Sequence, residues 1–372
     1  MKPTIYQVAF ASIKGITIDI ANEILSIVGS EEEFFRILEK ELQTTTQLTP
    51  RLLKKDYRDA LLIDAEITIE ESERKHVGMH YYRQDSFPTR FQTVPDAPLL
   101  IYSAGNCDLN SAKIVSIVGT RHSTAYGMDL CKSFVGGLKD KVGNDVVVVS
   151  GLAYGIDITA HRAALSCGLP TIAVVAHGLD TIYPAAHRGD AIEIVRSGGA
   201  ILSEYKFSTK VHRSNFLARN RLIAAMADCT IVMESAFKGG ALVTANVALN
   251  YGRDVFAFPG RIGDEYSEGC NKLIKKNVAS LITSVDDVID AMGWEKKKEG
   301  PVELELFPQL SSEEQKIYDI ISERETVNVN ALAGNVGMPF HRILSTLIDL
   351  EFRGIVRALP GNQYALNKKI NL

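Results

Sequence analysis

The stretch EYKFSTKVHRSNFLARNR, residues 204–221, holds five cations, Lys206, Lys210, Arg213, Arg219 and Arg221, against one acid, Glu204. Tyr205, Phe207 and Phe216 are interleaved with them. Cations neutralise phosphates, and aromatic rings offer faces on which unpaired bases stack, each stack worth about 1–3 kcal/mol. A duplex hides those faces, so the mixture favours single strands. The plain alternative is a solvated basic loop whose aromatics fold inward.

A second group of residues suits anions. Four segments rich in glycine and hydroxyl residues each follow an apolar run: Gly119-Thr120-Arg121, SGLAYGID from Ser150 through Gly151 and Gly155 to Asp157, KGGALVT with Gly239, Gly240 and Thr244, and PGRIGDEYSEGCN over 259–271. Glycine lets backbone amides approach a ligand, and helix N-termini favour negative charge. Asp157 is a candidate cap for the helix that follows. Dinucleotide binding would require an acid after the second strand, where Ser150 and Gly151 stand, and no Gly-Lys-Ser/Thr loop is present.

Catalytic and metal chemistry find little support. His161 lies four residues after Asp157 and is either a general base or, more simply, a structural hydrogen-bonding group, since no nucleophile accompanies it. His177 and His187 lack neighbours at metal-ligand spacing. Cys107, Cys131, Cys167, Cys229 and Cys270 are scattered, which predicts free, mostly buried thiols without zinc or disulfides. No catalytic residue, cofactor or metal is expected.

The elements that must position these groups follow from periodicity. Between 111 and 293, apolar runs (KIVSIVG, DVVVVSG, LPTIAVVA, GAILSE, CTIVMES, RDVFAFP) alternate with helical stretches. Strands apolar at nearly every position are buried on both faces, which predicts a doubly wound, mostly parallel Rossmann-like α/β sheet covered by helices. Residues 1–65 read as a small helical domain with IANEILSIVGS and EEFFRILEKEL, and 66–110 as a connecting segment. Residues 294–310 form a charged linker, and 311–372 have the three-helices-then-hairpin order of a winged helix. That last segment carries seven Lys or Arg and seven acids, so its charge balances at zero. A DNA-reading winged helix wants a basic surface, and protein interaction is therefore expected of it. The net charge of −4 argues against indiscriminate nucleic-acid binding but leaves room for a local basic patch. No apolar run reaches the roughly 20 residues that span a bilayer, and MKPTIYQVAF lacks signal-peptide features; a cytoplasmic protein is expected, without membrane contact.

Taken in order, SIVGTR, SGLAYGIDITAH, TIAVVAHGLDTIYP, ILSEY, FLARNRLIAAMAD, GGALVTANVALNYGRDVFAFPG and GCNKLI closely resemble the DNA-processing protein A family, also called DprA or Smf, as does VPDAPLLIYSAGN upstream. The resemblance implies an extended Rossmann-like domain that binds single-stranded DNA and forms a homodimer, in proteins that protect incoming DNA during natural transformation and help load the RecA recombinase. It implies that Gly119, Thr120 and Arg121 form the phosphate motif, with Ser150, Gly151 and Gly155 as the neighbouring backbone pocket. Arg213 precedes a stacking Phe216, and Arg219, Asn220 and Arg221 match the Arg-Asn-Arg segment. Two departures stand out: Leu217 replaces a proline common in relatives, and IKGITIDIANEIL resembles a helix-hairpin-helix whose second glycine is Thr17, so a packing or partner role is expected there. The rival reading is a nucleotide phosphoribohydrolase on a related fold. It shares Gly239-Gly240 but has Thr244 and Ala245 where a catalytic acid is wanted. A transcription factor built on the winged helix is disfavoured by the neutral charge.

Overall fold

The structure, a computed structural model, describes residues 2–38, 54–296, 310–324 and 326–367. From 297 to 309 the expected linker lies outside the described residues, as do the last four residues of EEFFRILEKEL and, in the tail, Glu325, Lys368 and Lys369. The chain divides into two compact units, residues 1–297 and 298–371.

The first unit opens with helices α1 (Ile5–Ala11), α2 (Ile18–Val28), α3 (Glu31–Arg36) and α4 (Lys55–Arg74). Thr17 is the N-cap of α2, its hydroxyl accepting from the Ile20 amide at 3.3 Å. A capping role thus accounts for the residue that replaces the hairpin glycine. Strands β1 (Gly78–Tyr81) and β2 (Leu100–Gly105) follow. The expected strands are all present: β3 (Lys113–Val118), β4 (Val146–Ser150), β5 (Thr171–Val174), β6 (Ala200–Ser203), β7 (Cys229–Val232) and β8 (Asp254–Ala257). A two-residue β9 (Ser280–Leu281) completes one nine-stranded sheet of order β1-β2-β6-β5-β4-β3-β7-β8-β9. Pairing is parallel from β6 through to β9, while β1 and β2 join antiparallel at the other edge. The segment read as a connection therefore contributes two strands.

Alternation explains why the strands are apolar throughout. In β3, Val115 and Ile117 enter one core with Phe134, Val135 and Leu138 of α5 (Ala125–Val142) and Ile156 and Ala160 of α6 (Ile156–Ser166). Ile114 and Val118 enter the opposite core with Leu222 and Ile223 of α8 (Arg213–Met226) and Ala245 of α9 (Gly240–Asn250). Period-two geometry sends successive side chains to opposite faces, so a strand covered by helices on both sides must be apolar at every position. Phe10, Phe34 and Tyr81 share the second of these cores, so the N-terminal helices pack on the sheet rather than stand apart. Helices α7 (Arg188–Arg196), α10 (Glu268–Lys275) and α11 (Val285–Met292) complete the layers.

The second unit is a winged helix: α12 (Ser312–Ser322), β10 (Val327–Asn328), α13 (Val329–Val336), α14 (Phe340–Phe352), β11 (Val356–Leu359) and β12 (Gln363–Leu366), its sheet ordered β10-β12-β11. Ile317, Ile321, Leu332, Ile343, Leu347 and Leu350 form its own core. No described helix is long and apolar enough to cross a membrane.

Candidate nucleic-acid interface

Strand order reverses at β4-β3-β7, and open α/β sheets bind ligands in the crevice beyond the strand ends at such a switch point. A pocket of about 230 Å³ lies there. Gly119, Thr120 and Arg121 supply one wall, Phe216, Arg219 and Asn220 of α8 a second, and Gly239, Gly240 and Thr244 at the start of α9 a third. Nine of the residues singled out in the sequence thus converge on one cavity.

The loop after β3 is fixed from both sides. The Thr120 amide donates to the Glu234 carbonyl at 2.8 Å, and the Thr120 carbonyl accepts from the Ile156 amide at 3.1 Å. Gly155, at φ +77°, runs so close that a Cβ there would strike the backbone of Thr120 and Arg121. A Cβ at Gly119 would fall inside the Ile156 side chain. Side chains are excluded where the two loops touch, and Arg121 is left exposed at the rim. Its guanidinium carbon lies 5.5 Å from the centre of the Phe216 ring. At the third wall, the N-cap of α9 is Gly239, which has no side-chain cap, so this helix N-terminus presents free amides to an anion.

Beneath the pocket lie a buried arginine and a buried carboxyl, Arg219 and Asp157. Arg219 is 3% exposed; its Nη1 donates to the Gly151 carbonyl at 2.6 Å and also to the Val174 carbonyl. Burial pushes its guanidinium down to about 10, with Asp157 pulling against that. Burial likewise raises the Asp157 carboxyl above the usual carboxylate range, opposed chiefly by Arg219. The next carbonyl, Leu152, bonds His187 Nδ1 at 2.8 Å. Leu152 is a buried non-glycine residue at φ +58°, a conformation that persists only where its surroundings enforce it. Arg219 and His187 therefore clamp the loop after β4 at two successive carbonyls.

The structure places the other expected site residues away from the pocket or beneath it. Arg221 does not join the pocket: it pairs with Glu204 and lies 3.8 Å from Asp96, in a separate cavity of about 850 Å³ beside α4. Arg219 binds backbone carbonyls rather than standing open to a ligand. Ser150 is fully buried and its hydroxyl donates to the Ile117 carbonyl at 2.7 Å, while Gly151 has its carbonyl occupied by Arg219. Asp157 is not a cap, because Gly155 takes the N-cap position of α6. Lys210 and Arg213 are exposed beside the entrance to α8, outside the pocket lining. The sequence reading missed Tyr183, whose ring centre is 5.6 Å from that of Phe216; the tyrosine of TIYP was the available signal.

His161 is fully buried, with Nδ1 2.7 Å from the Thr171 hydroxyl and no contact with Asp157 through that nitrogen. Burial pushes its imidazole down to about 3 from an ordinary 6.5. Below pH 6.5 the unfolded chain takes up a proton that the folded protein refuses, so this group's contribution is complete above 6.5 and is lost as pH falls toward 3. The slope is about 1.4 kcal/mol per pH unit. His161→Gln should therefore lose less stability than wild type between pH 7 and 5 in urea denaturation. Equal losses would show that His161 is not held neutral. Among the described residues, no cluster of three His, Cys, Asp or Glu side chains could hold a metal ion.

Residues 78–293 match the family model for DNA recombination-mediator protein A, and residues 305–362 match that for the DprA winged helix domain. Protein Smf of Escherichia coli is 31% identical over 286 residues, 76% of this chain and 75% of that protein. DNA processing protein DprA of Streptococcus pneumoniae is 40% identical over 205 residues, 55% of this chain and 71% of that one. The S. pneumoniae DprA structure superposes with TM-score 0.60 at 32% identity, covering 78% of this chain and 98% of that chain. A structure concerning the single-stranded DNA binding mode of DNA processing protein A from Helicobacter pylori matches with TM-score 0.51 at 31% identity, covering 58% and 95%.

Proposed function

We propose that this chain, which belongs to the DprA/Smf family of DNA-processing proteins, binds single-stranded DNA across the pocket at the strand ends. The observation that carries this reading is the Arg121–Phe216 pair: a cation and an aromatic face, 5.5 Å apart, at the mouth of a glycine-walled pocket. Arg121 and the α9 amides take phosphate, and Phe216 with Tyr183 offers stacking to an unpaired base. Backbone gripping and stacking tolerate any sequence, so base preference is slight.

The role is one of binding. The only carboxylate among the described pocket-lining residues is Asp157, and it is buried against Arg219 rather than free to act as a base. This weighs against phosphoribohydrolase chemistry. Within the family reading, the protein acts in the cytoplasm as a homodimer, protects incoming DNA during natural transformation and helps load the RecA recombinase. The winged helix serves a protein partner: α14 exposes Phe340, Ile348 and Phe352, the last 94% exposed, where a DNA-reading helix would carry cations.

The test is competition. Labelled oligothymidine bound to the full chain should be displaced by unlabelled single strands of mixed sequence and resist a matched duplex. Equal displacement by duplex would overturn the stacking argument, and release of free base from nucleoside monophosphates would favour the hydrolase.

A further inference from the structure

A second aromatic–cation pair lies outside the pocket lining, its ring two residues before the Gly239 wall. Phe237 lies in the loop that leads from β7 to Gly239 and Gly240, and its side chain is 50% exposed. Lys272 of α10 reaches across to it: Nζ lies 3.9 Å from the ring centre and 3.4 Å from the Phe237 carbonyl. Among the described residues Lys272 makes no ion pair, so its charge is not neutralised by a carboxylate.

A single exposed phenylalanine is ordinary and carries nothing by itself. This one repeats the unit, a ring with a cation beside it, next to the Gly239 and Gly240 wall in sequence. Phe216 stands in the first turn of α8 and Phe237 in the loop entering α9, and both helices contribute residues to the cavity lining. Lys272 covers part of one ring face and leaves the remainder in water. A lysine is a compact charge on a flexible stem, able to turn from the ring to a phosphate without moving the backbone. Phosphate and base are what an unpaired nucleotide presents together.

We propose that Phe237 and Lys272 form a second nucleotide-binding unit, in which the exposed ring stacks on a base of the bound single strand and the ammonium neutralises a nearby phosphate. This rests on the single-strand reading above. Because neither residue lines the pocket, a strand engaging both units extends beyond it and needs more nucleotides than the pocket itself.

Length dependence tests it. Anisotropy with full-length protein would compare oligothymidines of about 4 and about 16 nucleotides, the span of typical single-strand sites. Phe237→Leu, which keeps apolar bulk but removes the ring, should weaken the long oligomer about tenfold and leave the short one within about twofold. Lys272→Gln should flatten the salt dependence by about 0.7 in log–log slope for the long oligomer alone. Wild-type affinity of both variants at both lengths, with Arg121→Ala impaired, would overturn the second unit while sparing the central site. Equal weakening at both lengths would also overturn it, by placing Phe237 in the central contact. Failure of the wild type to bind either oligomer would remove the single-strand reading and this inference with it.

Discussion

Arg121→Ala is expected to weaken oligothymidine binding by about 10- to 100-fold at low salt, the cost of one charge-assisted hydrogen bond of about 1.5–3 kcal/mol. The same change should lower the slope of log affinity against log salt by about 0.7, because one fewer phosphate is neutralised. Folding should be untouched. Arg121 is exposed, and the loop carrying it is held by backbone bonds of Thr120 and by the close pass of Gly155, none of which uses the arginine side chain. Salt-titrated anisotropy checks the affinity and the slope together. Lost affinity with an unchanged slope would mean that Arg121 acts on the Phe216 ring rather than on phosphate.

Arg219→Met should behave differently, although both arginines fall within the resemblance to known DNA-binding motifs. Arg219 is buried, bonded to the carbonyls of Gly151 and Val174, and faces a buried carboxylate. Removing it strands Asp157 and two carbonyls away from water. Leaving a buried carboxyl without its compensating cation in this way costs about 3–5 kcal/mol. Urea denaturation should show a large fall in midpoint, and any loss of DNA binding should follow the unfolded fraction. A variant as stable as wild type that no longer binds would make Arg219 a direct ligand and contradict the structural role assigned to it. Asp157→Asn in the same background should recover part of the stability, since it removes the charge left unpaired.

These two arginines show how far the sequence could be read. The six central strands were legible because a strand buried on both faces has a continuous apolar run, as VVVV in β4 does. The edge was harder. GMHY in β1 mixes polar and apolar residues, and β9 has only two residues, so neither pattern reaches the length that separates strand from loop. Glycines and hydroxyls at strand ends singled out Gly119 to Arg121 and the α9 entrance, which the fold brings to one pocket. What could not be read without a helix assignment was the phase of FLARNR. Once α8 is known to begin at Arg213, residues 216, 219, 220 and 223 fall on one face and 218 and 221 on another, and this separates Arg219 from Arg221. Burial then separates Arg219 from Arg121, and burial depends on packing among three loops far apart in the chain. Tyr183 was missed for the same reason, since nothing local to TIYP places it against Phe216.

The measurement that tests the central claim most directly is photocrosslinking of an iodouracil-substituted oligonucleotide to the full-length protein, with the attachment points mapped by mass spectrometry. A base stacked at the pocket mouth should crosslink to Phe216 or Tyr183, and salt high enough to release the DNA should abolish the products. Crosslinks confined to residues 2–38 or to the winged helix, with none between 119 and 272, would contradict a single-strand site at the strand ends.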